Sequence, residues 1–233
     1  MKKMIFSAML LAAGSATIAH AQEKIETTIS GDIVSQYIWR GQDLGSVSLQ
    51  PTLGIGWKGL SLSAWGSVGL SDSDDTKEFD LTASYAVGSL TVGVTDYWFD
   101  SPEKRYFLYS AHRTSHLFEA FAQYDLGFLS AAWYTNFAGN DGENKSGHRA
   151  YSSYFELNAP FRLAGVDWTA TAGAVPYATT LYEASGFAVT NLALRADKDI
   201  RITDSFTVPV FGQIVGNPCS QKAYFVFGVT LRP

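Results

Sequence analysis

Apolar and polar side chains alternate along most of the chain. Ile25, Ile29 and Ile33 mark an apolar set at odd positions, and polar residues fill the even positions between them. Only a β-strand places alternate residues on opposite faces. The pattern recurs along the chain and predicts about twelve strands. They span 26–39, 47–57, 60–70, 78–87, 90–99, 116–125, 128–138, 150–159, 165–174, 187–197, 206–215 and 223–232.

The connections between these strands alternate in length. Those after even-numbered strands are mostly tight turns, such as Lys58-Gly59 and Gly88-Ser89, whereas those after odd-numbered strands are longer and polar, such as 100–115 and 138–149. Short turns at one end and long loops at the other are typical of outer-membrane barrels with an even strand number. The sequence therefore predicts an all-β fold, an up-and-down antiparallel transmembrane β-barrel.

Composition indicates which of the two alternating sets of side chains, here called the apolar and the polar register, faces outward. The polar register is rich in Ser, Thr, Gly and Gln, whereas the other carries Leu, Val, Ile and Ala in mid-strand with aromatic residues toward the ends. A soluble barrel would point its apolar register inward, and such a barrel or sandwich is the alternative. We expect the apolar register to face lipid, with its terminal rings as girdles at headgroup level. These rings are Tyr37, Trp39, Trp57, Tyr85, Trp98, Tyr124, Trp133 and Tyr151.

One acidic residue interrupts the apolar register of the fifth predicted strand. Leu90, Val92 and Val94 place Asp96 on the face predicted to meet lipid, where a charge is destabilising. We expect a β-bulge before Tyr97 that removes Asp96 from this face.

The first residues are typical of a secretory signal peptide. Lys2 and Lys3 precede the apolar run 4–18, and Ala19-His20-Ala21 is a small-x-small cleavage site. The alternative, a transmembrane helix, needs a run of about 20 apolar residues. We therefore predict a signal peptide at 1–21, export through the Sec pathway and a barrel domain at 22–233. The barrel-assembly machinery is then a partner during biogenesis.

Charge and cysteine content narrow the function classes. Removing Lys2 and Lys3 from the 17 basic residues leaves 15 against 22 acidic ones, a net charge of −7. This disfavours nucleic acid as a partner. The charged fraction of 17% lies below the norm of about 25% for soluble domains. Cys219 is the single cysteine, so no internal disulfide forms. We expect the cell outer membrane as the location and its lipid as a partner.

The opening of the predicted barrel resembles a known family. The stretch SGDIVSQYIWRG, residues 30–41, is followed by Gln50-Pro51 and the glycine-rich TLGIGWKG. It is similar to the TorF-like family of putative outer-membrane porins, which has an S-x-Y-x-aromatic-R-G segment, a later glutamine and chains of barrel length. The likeness is firm in the first third of the chain and extends beyond it only as strand spacing. It implies a porin-like barrel, without a substrate or known functional residues.

The polar register supplies candidate lumen residues. Buried carboxylates need partners, and we expect Arg195 to pair with Glu156 or Asp167 inside the barrel. The pattern predicts a narrow passive channel for small solutes whose acidic wall favours cations. The alternatives are a plugged structural or adhesion barrel that uses its outer loops, and a lipid-modifying enzyme. The candidate lumen residues are Glu26, Asp32, Arg40, Glu78, Asp80, Glu119, Glu156, Asp167 and Arg195.

Catalytic chemistry has only weak support in the sequence. The enzyme alternative would use His112 or His116 with a neighbouring serine, but no G-x-S-x-G nucleophile turn occurs. Asp72, Asp74 and Asp75 form an acidic loop that we interpret as solvated rather than as a calcium site. We predict no enzyme activity, no catalytic residues, no metal and no cofactor.

Overall fold

The protein is a closed antiparallel β-barrel of twelve strands with a two-stranded hairpin after its first strand. The structure, a computed structural model, describes residues 24–71, 75–100, 105–110, 113–204 and 206–233. The barrel strands are β1 Glu26–Val34, β4 Ser48–Trp57, β5 Leu60–Gly69, β6 Glu78–Val87, β7 Leu90–Phe99, β8 His116–Asp125, β9 Ser130–Gly139, β10 Ser153–Leu163, β11 Val166–Val175, β12 Ala188–Arg201, β13 Thr207–Asn217 and β14 Lys222–Leu231. The hairpin consists of β2 Tyr37–Trp39 and β3 Gln42–Gly45.

Each barrel strand pairs with its neighbours in sequence, apart from the hairpin. β1 pairs with β4 on one side and closes the barrel against β14 on the other, with Gly31 opposite Leu231 and Val34 opposite Gly228. Closure leaves no barrel strand with an unpaired edge, which is the condition for crossing hydrocarbon with β-structure. The predicted fold class is confirmed. No helix among the described residues is long and apolar enough to cross a membrane.

The apolar register lies on the outside of the barrel. Leu53, Leu62 and Phe227 expose 58%, 49% and 59% of their surface, although such residues are usually buried in soluble proteins. The opposite register faces the lumen, where side chains such as Thr52 and Gln123 are buried. In the strands that the structure describes, the apolar register does not face inward as it does in a soluble barrel.

Two-residue turns close the barrel at one end, here called the short-turn end. Lys58 and Gly59 both have positive φ, 48° and 85°, and so do Ala164 and Gly165, at 54° and 73°. Positive φ at both central residues defines the type I′ turn, whose twist matches that of paired strands. Extended connections such as 140–152 and 176–187 lie at the opposite, long-loop end.

The prediction of one continuous strand at 26–39 is wrong in its second half. β1 ends at Val34, and residues 37–45 form the hairpin β2–β3 instead of continuing along the wall. The later strands match the prediction closely, except that β10 and β12 extend to Leu163 and Arg201. The predicted signal peptide at 1–21, together with Asp72, Asp74 and His112, lies outside the described residues.

Candidate functional site

The hairpin β2–β3, here called the plug, folds from the long-loop end into the barrel lumen. Its two strands form a sheet of their own, separate from the barrel sheet. Arg40 and Gly41 form its type I′ turn, with φ of 50° and 81°. This turn reaches the barrel wall at the end of β13, where Asn217 donates a 3.0 Å hydrogen bond from Nδ2 to the carbonyl of Gly41.

Only glycine fits at the tip of the plug. A Cβ atom on Gly41 would lie 1.9 Å from the carbonyl oxygen of Thr190, well inside van der Waals contact. The φ of 81° also falls in the left-handed region, which a side chain disfavours. The turn therefore lies backbone against backbone on β12.

Arg40 is held by the lumen wall through a buried ion pair. Its Nη1 and Nη2 atoms donate to Oε2 and Oε1 of Glu119 at 2.6 and 2.9 Å. The two residues expose only 8% and 1% of their surface. Parallel, two-point pairing of this kind is the strongest geometry for arginine and carboxylate. Tyr97 donates a further hydrogen bond to Glu119 Oε1 at 2.9 Å.

Aromatic rings surround the Arg40 guanidinium. Its Cζ lies 4.6 Å from the ring centroid of Trp39, 4.2 Å from that of Tyr134 and 4.6 Å from that of Tyr154. These distances are within the range of cation–π attraction. Arg40 Nη1 also donates to the Tyr182 hydroxyl oxygen at 2.6 Å. Burial raises the pKa of that hydroxyl, so it remains neutral and accepts the bond.

A second contact holds the plug at β6. The Tyr37 hydroxyl donates to Glu78 Oε2 at 2.8 Å, and Tyr37 packs its ring against Trp65 with centroids 5.6 Å apart. Asp80 lies on the same inward face of β6 and is buried, and its Oδ1 atom has no hydrogen-bond partner. The plug thus brings tyrosine and arginine donors to a wall that is rich in carboxylates.

Stacked rings fill the long-loop half of the lumen. Tyr182, from the connection between β11 and β12, stacks on Trp39 at 5.7 Å and on Tyr154 at 5.8 Å. Gly173 makes room for this stack, because a Cβ there would lie 1.8 Å from the Tyr154 hydroxyl oxygen. These rings belong to the main buried apolar cluster of the protein. The barrel therefore has a packed core in this half of its interior.

The other half of the lumen contains a cavity of about 840 Å³. It extends from the underside of the plug, at Arg40 and Gly41, to Glu26 and Arg232 near the short-turn end. Its wall combines apolar surface, such as the side chain of Phe121, with many hydroxyl and amide groups. The polar lining includes Thr28, Ser30, Thr52, Ser61, Ser63, Thr82, Ser84, Thr91, Thr95, Gln123, Asn158, Thr169, Thr171, Asn191 and Gln213.

The candidate lumen residues fall into three groups. Four of them come together around the plug, namely Arg40, Glu78, Asp80 and Glu119. Three more line the cavity, which Arg40 and Asp80 also border, namely Glu26, Glu156 and Arg195. The remaining two lie apart from the plug. Asp32 hydrogen-bonds to Thr230 and lies close enough to Arg195 for electrostatic attraction. Asp167 is an exposed residue whose 3.6 Å contact is with Arg162.

The predicted pairing of Arg195 with Glu156 or Asp167 is wrong. Arg195 Nε donates to both carboxylate oxygens of Asp197, at 3.0 and 2.9 Å, and its Cζ lies 3.6 Å from the ring centroid of Phe211. Residues two apart on one strand share a face, so the nearest carboxylate is on the same strand. Glu156 instead accepts hydrogen bonds from Tyr154 and Asn158.

The expected positions of Tyr37 and Trp39 are also wrong. Both are expected in the outer aromatic girdle, but they expose only 4% and 5% of their surface and lie in the lumen. The chain leaves the barrel wall where β1 ends at Val34, so both residues lie on the hairpin inside the barrel. Sequence reasoning also missed Tyr97, Tyr134 and Tyr154. The sequence indicated their position in the lumen only by placing all three in the polar register of their strands.

The predicted bulge at Asp96 does not occur. β7 pairs with β6 and β8 without a register shift at this position, so Asp96 stays on the outer face. It is compensated by a partner on that face, because His116 Nδ1 lies 2.7 Å from Asp96 Oδ1. His116 Nε2 lies 2.6 Å from the carbonyl oxygen of Tyr106, and its ring stacks on Tyr109. The segment 105–110 thus covers the pair.

Both ring nitrogens of His116 have polar partners. Nε2 donates to the Tyr106 carbonyl oxygen, which can only accept, and Nδ1 lies against Asp96 Oδ1. In this arrangement neither ring nitrogen is available to take a proton from a serine, as the enzyme alternative requires. Absence of catalysis stays a prediction.

Replacing His116 with phenylalanine should release the segment 105–110 from the wall. Phenylalanine keeps the ring but loses both hydrogen bonds, which leaves Asp96 without its partner. We expect faster hydrogen exchange and proteolysis in this segment, with the rest of the barrel unchanged. His148→Phe, at an exposed loop position, is the control. Equal protection of the segment in both variants would contradict the assigned contact.

Comparison with known protein families finds no match to this chain, and comparison with curated proteins finds none either. The resemblance to the TorF-like family therefore stays a prediction.

Proposed function

We propose that the protein is an outer-membrane β-barrel that acts as a narrow passive channel for small solutes, closed by the plug in the conformation described. The observation that supports the membrane location is the continuous apolar exterior around a polar interior. Leu53, Ile55 and Phe225 expose 58%, 48% and 66% of their surface. Exposed apolar patches of more than a few hundred Å² mark interaction or membrane surfaces.

The channel proposal rests on the cavity behind the plug. About 840 Å³ of the lumen is unfilled, and many of the side chains around this space carry hydroxyl or amide groups. Twelve strands enclose more room than the eight that side chains can fill, so the lumen has space for a small solute. The plug main chain has its own two-stranded sheet, so it leaves the lumen without breaking any barrel strand pairing. Displacement of the plug would join the cavity to the long-loop end.

Removing the plug tests this proposal. In an unplugged variant, residues 37–45 are replaced by a glycine-serine linker of equal length. We expect steady conductance from this variant in planar bilayers, whereas the unmodified protein should stay closed apart from brief openings. Both proteins should migrate faster in unboiled than in boiled gel samples, as folded barrels do.

A structural or adhesion barrel is the second candidate function, and the packed aromatic core of the plug favours it. Folded unplugged protein that never conducts would reject the channel and leave this candidate. Steady conductance from the unmodified protein would instead show that the plug does not close the lumen.

A further inference from the structure

We infer that the wall pocket that receives Arg40 is a binding site for small organic cations, above all guanidinium compounds, and that Arg40 occupies it as a tethered substitute in the closed state. This inference rests on the proposed function, because in the unmodified protein the pocket becomes free only when the plug moves and withdraws Arg40. Small organic cations are then the class of solute that the open lumen would hold.

The wall contributes both elements of cation recognition. Glu119 supplies two carboxylate oxygens in the plane that a guanidinium requires, and Tyr97 orients this carboxylate through its hydroxyl. Tyr134 and Tyr154 supply ring faces whose centroids lie 4.2 and 4.6 Å from the cation. A carboxylate combined with aromatic faces is the usual recognition chemistry for guanidinium and alkylammonium groups.

None of these four wall residues belongs to the plug. Tyr97, Glu119, Tyr134 and Tyr154 project from β7, β8, β9 and β10, four neighbouring strands of the rigid barrel. The site therefore persists when the plug leaves, apart from the ring of Trp39, which leaves with the plug. A buried carboxylate without a partner is costly, so the empty site would favour a replacement cation.

Asp80 provides a second, independent indication of a cationic ligand. It is 6% exposed, lines the cavity beneath Arg40, and its Oδ1 atom lacks a hydrogen-bond partner. Asp80 lies directly opposite Tyr97 on the neighbouring strand, and Tyr97 binds Glu119. Asp80 also shares a hydrogen bond with Glu78, so it is the Oδ1 atom that remains open to an ammonium or guanidinium group in the cavity.

The test uses the full chain with Arg40→Ala, and Arg40→Met as a second variant that keeps an apolar stem if the first does not fold. Unfolding temperature is measured with low millimolar guanidinium chloride, sodium chloride or urea. Urea has the shape of guanidinium without its charge. A ligand that binds only the folded state raises the unfolding temperature. We expect guanidinium alone to stabilise the Arg40 variants and to have no effect on the unmodified protein, whose site is filled.

Two further variants separate specific from general charge effects. Adding Glu119→Gln to Arg40→Ala should abolish the guanidinium stabilisation, whereas adding Asp204→Asn, at a fully exposed turn position, should preserve it. Equal stabilisation in the unmodified protein, or its survival in the Glu119→Gln double variant, would overturn the inference.

A conductance measurement distinguishes this inference from the proposed function. In the unplugged variant, guanidinium should block the current of small inorganic ions, and the block should disappear with Glu119→Gln. Current without any block would overturn the cation site and support the channel. Guanidinium stabilisation of the Arg40 variants without current from the unplugged protein would support the site and reject the channel.

Discussion

Arg40→Ala should reduce the free energy of unfolding by about 3–5 kcal/mol, the cost of breaking a buried ion pair by removing one partner. The substitution leaves Glu119, which is 1% exposed, without its bidentate donor and removes the cation from between three rings. The measurement is equilibrium urea unfolding in detergent micelles, followed by tryptophan fluorescence.

The matched control is Arg162→Ala. Arg162 also pairs with a carboxylate, that of Asp167 at 3.6 Å, but both side chains are largely exposed, and exposed pairs contribute about 1 kcal/mol or less. Glu119→Gln should cost less when Arg40 is already absent, because residues in direct contact are not additive. Equal losses for Arg40→Ala and Arg162→Ala would contradict the described anchoring of the plug.

Gly41→Ala should expel the plug from the lumen. The new Cβ would lie 1.9 Å from the Thr190 carbonyl oxygen at a φ of 81°, so the turn cannot remain in place. The left-handed conformation costs about 1–2 kcal/mol and the collision about 1–3 kcal/mol more. We expect frequent channel openings and greater acrylamide quenching of Trp39 fluorescence.

Gly127→Ala separates the cost of the left-handed conformation from the cost of the collision. Gly127 has a closely similar φ of 85°, yet a Cβ there meets no atom within 4 Å. This variant should show the conformational cost alone and stay closed. Indistinguishable conductance for the two alanine variants would show that the plug tip does not lie against β12.

The barrel was predictable because it depends on local periodicity. Residues two apart share a face whatever their neighbours, so the alternation of Leu60, Leu62 and Ala64 with Ser61 and Ser63 indicates a strand and both of its faces. Turn chemistry such as Lys58-Gly59 then marked the strand ends. Closure followed from the alternating lengths of the connections.

The plug was not predictable in the same way, because its contacts join distant parts of the chain. Residues 35–41 continue the period-two pattern of β1, so alternation alone could not show that the strand ends at Val34. The Arg40-Gly41 pair is a turn sequence, but its partner Glu119 lies 79 residues away. The polar register nevertheless placed Arg40, Glu78, Asp80 and Glu119 in the lumen.

The Asp96–His116 pair on the outer face shows a similar limit of prediction from alternation alone. A charge on the apolar face requires some compensation, and a local bulge was the explanation available from sequence. The structure instead provides a histidine on the next strand and a covering segment that contains Tyr106. Cross-strand register, which alternation alone does not give, decides between these solutions.

The central claim is that the apolar register faces lipid and the polar register faces an enclosed lumen. Spin labels attached one at a time to cysteines along β5, in a Cys219→Ser background, test it directly after reconstitution into lipid vesicles. We predict high accessibility to oxygen and low accessibility to a water-soluble nickel complex at Leu62 and Ala64, with the reverse at Ser61 and Ser63. Equal accessibility of both registers to the nickel complex would contradict the claim.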